Sequence, residues 1–395
     1  MNKVICPSCF HHGIEIFYSV ENVPVNSVIQ VPTVKEALDF QQGDILLGSC
    51  MGCGFIFNTA FDSNLAEYSE RYESTQRHSG TFSKFNQNLA EKLIEKHDLV
   101  NKSIIEIGCG DGEFLYLLCQ IANNSGVGFD PAHHESVFTS EAAVDVSFVS
   151  DYFSEKYGHY KADFYVCKMT LEHVQEVAKF VSMIRMTIGD NYPTVFFQVP
   201  NFEKCLREGA FWDVYYEHCS YFMSESLKRC FENNGFDVMD LWSDFEDQYL
   251  MVETVPLRTW HKDVRLPVDV PAKTGLISSF RSLTENLREA WTRKLTLNMR
   301  SGNETVIWGS SSKGVSFLTT LETRSIINFA VDINPNKRGM FIPGSGQEIV
   351  GPQDLRDIKP DTVIVMNPVY TEEIKRTLME MELFPTILSV EHPTI

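Results

Sequence analysis

Beyond residue 100, short apolar strand segments alternate with helical ones, and that alternation sets the fold class. Ser103-Ile-Ile-Glu-Ile-Gly108 reads as a strand running into glycines, and Glu113–Ala122 as a helix. Gly126–Asp130, Asp163–Cys167 and Thr194–Val199 read as further strands. A second alternation holds Thr305–Trp308, Ile326–Val331 and Thr362–Met366, each short and apolar enough for a buried strand. Alternating β and α units predict a mainly parallel sheet with helices on both faces. Residues 62–100 read as helical, from Leu89, Leu93, Ile94 and Leu99 at near-helical spacing. A helix of about 25 residues is expected from Gly275 to Arg300, after a charged, Pro-bearing linker over residues 256–273.

The chain has 395 residues, enough for two to three domains at roughly 100–200 residues each. Its net charge of −19, from 53 acids against 34 bases, argues against nucleic acid and against anionic membranes. No apolar run approaches the roughly 18 residues of a spanning helix. The opening Met-Asn-Lys-Val-Ile-Cys-Pro-Ser-Cys lacks a signal-peptide core, so a soluble cytoplasmic protein is expected.

Of the 10 cysteines, four form two pairs, Cys6-Pro-Ser-Cys9 and Cys50-Met-Gly-Cys53. Two C-x2-C pairs suit a four-thiolate zinc site, the metal standing in for the core so short a region cannot build. With all four positions taken by sulfur, the zinc would be structural. The plain alternative is two pairs of core cysteines, the reading that suits the other six.

Glu106-Ile-Gly-Cys-Gly-Asp-Gly112 follows a strand and opens a helix. Glycines there let a ligand approach the backbone at a helix N-terminus. Asp130 ends the next strand about 20 residues on, where a carboxylate can accept both ribose hydroxyls. Ser150-Asp151-Tyr152-Phe153 lies where a third strand would end and suits an adenine contact. The arrangement resembles the class I methyltransferases that bind S-adenosylmethionine (SAM), with Glu106, Gly108, Gly110, Gly112, Asp130, Asp151 and Tyr152 as cofactor contacts. NAD is the main rival, although Glu113 stands where the third glycine of a dinucleotide motif would be.

Two Glu-His pairs, Glu172-His173 and Glu217-His218, follow the third and fourth strands. Ligands bind at that edge of open α/β sheets, so two histidines there suit general-base chemistry. The bland alternative is a surface loop with satisfied histidines.

Together the motifs resemble the three-domain sugar C-methyltransferases. The resemblance rests on the Cys pairs with Val23-Pro-Val-Asn26 between them, Tyr68-Ser-Glu-Arg-Tyr72-Glu73, the glycine loop and Tyr215-Tyr-Glu217-His218-Cys-Ser220-Tyr221-Phe222. It extends to Asp332-Ile-Asn-Pro-Asn-Lys337-Arg-Gly339, Ile342-Pro-Gly344-Ser-Gly346 and Asn367-Pro-Val-Tyr-Thr-Glu-Glu-Ile374. It implies an α/β protein of three domains: a small zinc-binding domain at 1–62, a class I SAM-methyltransferase Rossmann-like domain at 63–255, and a second Rossmann-like, substrate-binding domain at 256–395. It also implies SAM and structural Zn2+, with Tyr72 near the cofactor, in a monomer or homodimer. The implied reaction adds a methyl to carbon 3 of a nucleoside-diphosphate 4-keto-6-deoxysugar through an enolate. His218 would be the base, with Tyr215 and Glu217 positioning and His173 near the carbonyl. Lys313, Lys337 and Arg338 would suit the diphosphate. Alternatives are methyl transfer to O or N of another small molecule, or a non-catalytic or NAD-dependent sugar-binding protein.

Overall fold

The computed structural model describes residues 4–65, 75–133, 144–260, 274–321 and 326–393. The N-terminal part contains β1 (Ile14–Pro24), α1 (Val34–Leu38), β2 (Gln42–Cys50) and β3 (Ile56–Asn58). The middle part runs α2 (Gly80–His97), β4 (Ser103–Ile107), α3 (Glu113–Ala122), β5 (Ser125–Phe129), β6 (Asp145–Val149), β7 (Phe164–Lys168), α4 (Val177–Ile188), β8 (Thr194–Pro200), α5 (Phe202–Glu208), β9 (Ser220–Tyr221), α6 (Ser224–Asn233), β10 (Phe236–Asp244) and β11 (Tyr249–Pro256). The last part holds α7 (Thr274–Arg300), β12 (Thr305–Trp308), α8 (Ser312–Thr320), β13 (Phe329–Val331), β14 (Glu348–Val350), α9 (Leu355–Ile358), β15 (Thr362–Val365), α10 (Thr371–Glu380) and β16 (Thr386–Ser389).

Most expected elements are present, with three differences. The helix read over 62–100 begins at Gly80, where the Ser79 side chain accepts from Phe82 N, and it ends at left-handed Asp98 (φ 48°). Leu99, buried, lies past that stop and packs from the following turn. The strand read over Ile326–Val331 shortens to β13. Pro256 belongs to β11, so the linker begins later than the prolines suggest; residues 261–273 lie outside the described residues.

The middle sheet has the order β10-β11-β8-β7-β4-β5-β6. Strands β6, β5, β4, β7 and β8 run parallel, and β11 pairs antiparallel with both β8 and β10. The chain leaves β4 first toward β5 and β6, then returns to β7 on the other side. The crevice at such a reversal is where open α/β sheets bind ligands. The last sheet, β14-β13-β12-β15-β16, is parallel throughout and reverses at β12.

A third sheet, β1-β2-β3-β9, joins the first sixty residues to the middle part. Its last strand is the Ser220-Tyr221 of the Tyr-Glu-His signature, paired as Ile56↔Tyr221 and Phe57↔Ser220. The signature loop is therefore anchored by N-terminal residues. Helix α7 closes the back of this assembly, burying Ile277, Phe280, Trp291 and Leu295 along one stripe. Burying each such side chain contributes roughly 1.5–3 kcal/mol. Trp291 Nε1 also donates to Val390 O at 2.9 Å.

Candidate functional site

The C-terminal strand edges of the middle and last sheets open on one cavity of about 410 Å³. From the middle part come Glu172, His173, Asp213, Tyr215, Glu217 and His218; from the last part Ser312, Lys313, Asp332, Lys337 and Asn367; Val28 comes from the first. The Gln248 and Asn367 side-chain amides bridge the two sheets with reciprocal hydrogen bonds of 2.9 Å.

The glycine loop stands beside this cavity. Glu106 ends β4, buried, and burial pushes its carboxyl up while the same burial pulls the neighbouring Lys168 ammonium down. Gly108 (φ +71°) has no room for a side chain, because a Cβ there would lie 2.0 Å from Thr170 Oγ1. Gly110 (φ +55°) is different: a Cβ there meets nothing within 4 Å. The loop is thus packed on one side and open on the other, as a ligand cradle needs. Gly112 (φ +86°) forms the N-cap of α3.

Asp130 Oδ2 accepts from Gly110 N at 2.9 Å, and its Oδ1 from Ala132 N at 2.8 Å. His133 Nδ1 lies 2.7 Å from Gly110 O, and its ring stacks on Phe148. Asp130 therefore shapes the loop and stands at its open side. Asp151 is engaged elsewhere: its carboxylate takes Lys156 Nζ and the Tyr157 hydroxyl, and these hold it at about 2. Tyr152 follows it, its side chain exposed. Tyr68, Tyr72 and Glu73 lie outside the described residues. These glycines with Asp130 would hold SAM, the open face of Gly110 being the feature that fits a bound cofactor.

The two Glu-His pairs, far apart in sequence, meet at the cavity. His173 follows β7 on a single 3-10 turn, Leu171–His173. Its Nδ1 lies 3.1 Å from Glu217 O. The His173 and His218 rings cross edge to face, 4.8 Å between centroids, and the Tyr215 ring lies 4.2 Å from that of His218. Burial lowers His173 to about 4 and His218 well below its ordinary range, so both imidazoles are neutral at pH 7. Burial also holds the Tyr215 phenol protonated and raises Glu217 to about 7. A neutral imidazole beside a neutral phenol can accept a proton while the phenol donates a hydrogen bond.

Glu217 is held by Ser27, which sequence reasoning missed as a site residue. Asn26 Oδ1 accepts from Val28 N and Ile29 N, at 3.2 and 3.1 Å, and this turn presents Ser27 inward. The Asn that ends Val23-Pro-Val-Asn26 was the available signal. Glu172 was likewise seen only as a neighbour of His173.

The basic groups of the last part are already paired. Lys313 meets Asp213. Lys337, buried, donates to Ser311 Oγ at 2.6 Å and to Asp332 at 3.2 Å. Arg338, exposed, meets Asp354. Of these three, Lys313 and Lys337 line the cavity and Arg338 does not.

Outside the cavity lining, Cys6, Cys9, Cys50 and Cys53 offer four sulfurs within 4.8 Å of one another. The Cys6–Cys53 and Cys9–Cys50 sulfurs lie 3.7 and 3.5 Å apart. Four thiolates at about 2.3 Å from a central zinc require nearly this spacing. Gly52 N donates to Cys50 Sγ, as backbone amides do around a bound thiolate. The cluster packs on the middle part, where Ala178 N donates to Pro7 O.

Comparison with known proteins agrees with this architecture. Residues 77–241 match the methyltransferase domain family, and residues 272–384 match the C-methyltransferase C-terminal domain family. C-methyltransferase NovU of Streptomyces niveus is 24% identical over 327 residues, covering 77% of this chain and 75% of its own. Among solved structures, magnesium protoporphyrin IX methyltransferase from Synechocystis PCC 6803 with bound SAH is 14% identical, covers 45% of this chain and 83% of its own, and superposes with a TM-score of 0.34. A putative SAM-dependent methyltransferase from Listeria monocytogenes is 9% identical, covers 44% and 99%, and gives 0.34. The chain thus carries a methyltransferase domain followed by a C-methyltransferase C-terminal domain, and its likeness to C-methyltransferase NovU runs over most of its length.

Proposed function

We propose that this enzyme methylates carbon 3 of a nucleoside-diphosphate 4-keto-6-deoxysugar through an enolate. The observation that carries the reading is the convergence of two neutral imidazoles and a neutral phenol on one cavity wall, opposite the loops of a second doubly wound sheet. A proton alpha to a ketone is only weakly acidic, so its removal needs a positioned base and a stabilised oxyanion. His218 is the base. Its ring is held by contact with His173 and Tyr215. Tyr215 and Glu217 orient the base and the sugar, and His173 stands near the carbonyl.

SAM supplies an electrophilic methyl on a sulfonium that departs as a neutral thioether. His218 takes the carbon-3 proton, and the released pair becomes the nucleophile aligned toward that methyl. The glycine loop, Asp130 and Tyr152 hold the cofactor, beside an Asp151 whose carboxylate is engaged by Lys156 and Tyr157. Lys313 and Lys337 serve the diphosphate, each held in place by a carboxylate, Asp213 and Asp332. The four cysteines hold a structural zinc, and residues 1–62, 63–255 and 256–395 act as the zinc, methyltransferase and substrate domains.

The test is methyl transfer from isotopically labelled SAM to thymidine-, guanosine- and cytidine-linked 4-keto-6-deoxysugars, with the product read by NMR. A new methyl on carbon 3 is expected. Transfer to oxygen or nitrogen, or none to any of these sugars, overturns the reading.

A further inference from the structure

Glu172 is a buried carboxyl, 1% exposed, and among the described residues neither of its carboxylate oxygens has a hydrogen-bond partner from another side chain. Yet it lines the cavity. Its backbone carbonyl takes a weak contact from Cys219 Sγ, and its own backbone N–H is the group nearest to bonding the carboxyl. A carboxylate oxygen of Glu172 and one ring nitrogen each of His173 and His218 all lie within 4.8 Å of one another. Such a side chain is costly as an anion and calls for a hydrogen-bond partner, which a ligand in the cavity can supply.

Resting on the enolate reading above, we propose that Glu172 is a further catalytic residue, the neutral carboxylic acid whose O–H donates to the substrate's ketone oxygen. The enolisable C–H and the carbonyl oxygen of a ketone are two bonds apart, so base and donor must sit a few ångströms from each other. The Glu172–His218 pair meets that requirement. As His218 takes the carbon-3 proton, the C–H pair becomes the carbon–carbon double bond. The carbonyl π pair moves onto oxygen, where the Glu172 O–H bonds more strongly to the growing charge. When the carbon captures the methyl, the carbonyl reforms. Glu172 keeps its proton throughout, and the abstracted proton leaves from His218.

The surroundings keep the acid neutral. Burial raises Glu172 to about 8. Its titratable neighbours are Cys167 on β7, His173 on the same turn, Tyr215, His218 and Cys219 on the signature loop, and Tyr249 on β11. Burial holds the thiols and phenols among them protonated and the imidazoles uncharged, so none is a cation at pH 7. The cation Lys313 is committed to Asp213.

The experiment compares Glu172→Gln with Glu172→Ala. Gln keeps a neutral N–H donor at every pH; Ala has none. On a 4-keto-6-deoxysugar that the wild type methylates, Glu172→Ala should lose about 10²–10³-fold in kcat with SAM affinity unchanged. Glu172→Gln should stay within about tenfold of wild type and lose the alkaline fall in kcat near pH 8. Infrared spectra of the substrate-free enzyme at pH 7 should carry a neutral-carboxyl band that Glu172→Gln removes. An active Glu172→Ala, a Gln variant as impaired as the Ala variant, or no such band overturns the assignment. So does stoichiometric Mn2+ binding that Glu172→Gln abolishes, which would make the three groups a two-histidine, one-carboxylate metal site. A wild type that transfers no methyl to carbon overturns the enolate reading itself, and this role with it; the infrared band still reads the state of the acid separately.

Discussion

Ser27 donates both its backbone N–H, at 2.9 Å, and its hydroxyl to the same oxygen, Oε2, of Glu217, some 190 residues away in sequence. The Ser27 hydroxyl also meets Ser312 Oγ at 2.8 Å, at the start of α8. One buried serine from the N-terminal part thus touches the signature loop and the last domain together. Hydroxyl donation favours the ionised carboxylate and works against the burial that raises Glu217. Ser27→Ala removes one donor and leaves the backbone one. A hydrogen bond to a charged group is worth roughly 1.5–3 kcal/mol. Turnover should therefore fall about ten- to a hundredfold at pH 7, with its acidic limb moved to higher pH and SAM affinity unchanged. Ser27→Thr should restore the profile. A wild-type pH profile in Ser27→Ala would show that the serine only packs.

The cysteine cluster predicts about one zinc per chain. Cys6→Ser should release it, loosen the β1–β2 hairpin and, through the β3–β9 pairing, disturb the signature loop, while leaving the glycine loop able to bind SAM. Metal analysis of protein purified without chelator checks this; no zinc would contradict it.

Asp130 supports the loop and is the proposed ribose acceptor. Asp130→Ala loses charge-assisted bonding to the ribose worth roughly 1.5–3 kcal/mol in all, so SAM affinity by calorimetry should fall about ten- to a hundredfold. Asp130→Asn should lie between, since an amide oxygen can still accept from Gly110 N. Equal affinity in wild type and Asp130→Ala would remove Asp130 from the cofactor site.

Stability of the ligand-free enzyme should depend on pH through its buried acids. Glu172 at about 8 and Glu217 at about 7 lie above their unfolded values, so the folded chain binds more protons than the unfolded one in between. Their contribution is fully present below the unfolded carboxylate range and is lost as pH rises through 7 and 8. The depressed histidines act oppositely, but only below about 6.5. Between pH 6.5 and 8 the melting temperature should fall, with a slope of at most about 1.4 kcal/mol per pH unit for each acid. Glu172→Gln should flatten it. A melting temperature rising across that range would contradict the burial argument.

The parallel strands and the glycine loop were legible because a buried parallel strand writes itself as a continuous apolar run ended by glycine. The β10–β11 hairpin was not. Its turn, Phe245, Glu246 and Asp247, is left-handed at φ 52°, 54° and 63° without a single glycine, so no turn signal marks it. Sequence spacing placed the four cysteines in one group and found both histidines. It could not place Ser27 or Glu172: the first bonds a residue 190 positions away, and the second is set apart by carboxylate oxygens that no other side chain among the described residues bonds. Nor could it foresee that Asp151 would spend its carboxylate on Lys156 and Tyr157. Such pairing depends on packing that periodicity does not encode.

Whether His218 removes a proton alpha to a ketone is tested by solvent exchange, without the methyl step. Wild-type enzyme, the 4-keto-6-deoxysugar nucleotide and demethylated SAM are incubated in heavy water, and deuterium at carbon 3 is followed by NMR. Exchange is expected with wild type, and its loss, by about 10²–10⁴-fold, with His218→Asn that still binds SAM normally. Undiminished exchange in His218→Asn, with loss in a His173 or Tyr215 variant instead, would contradict it.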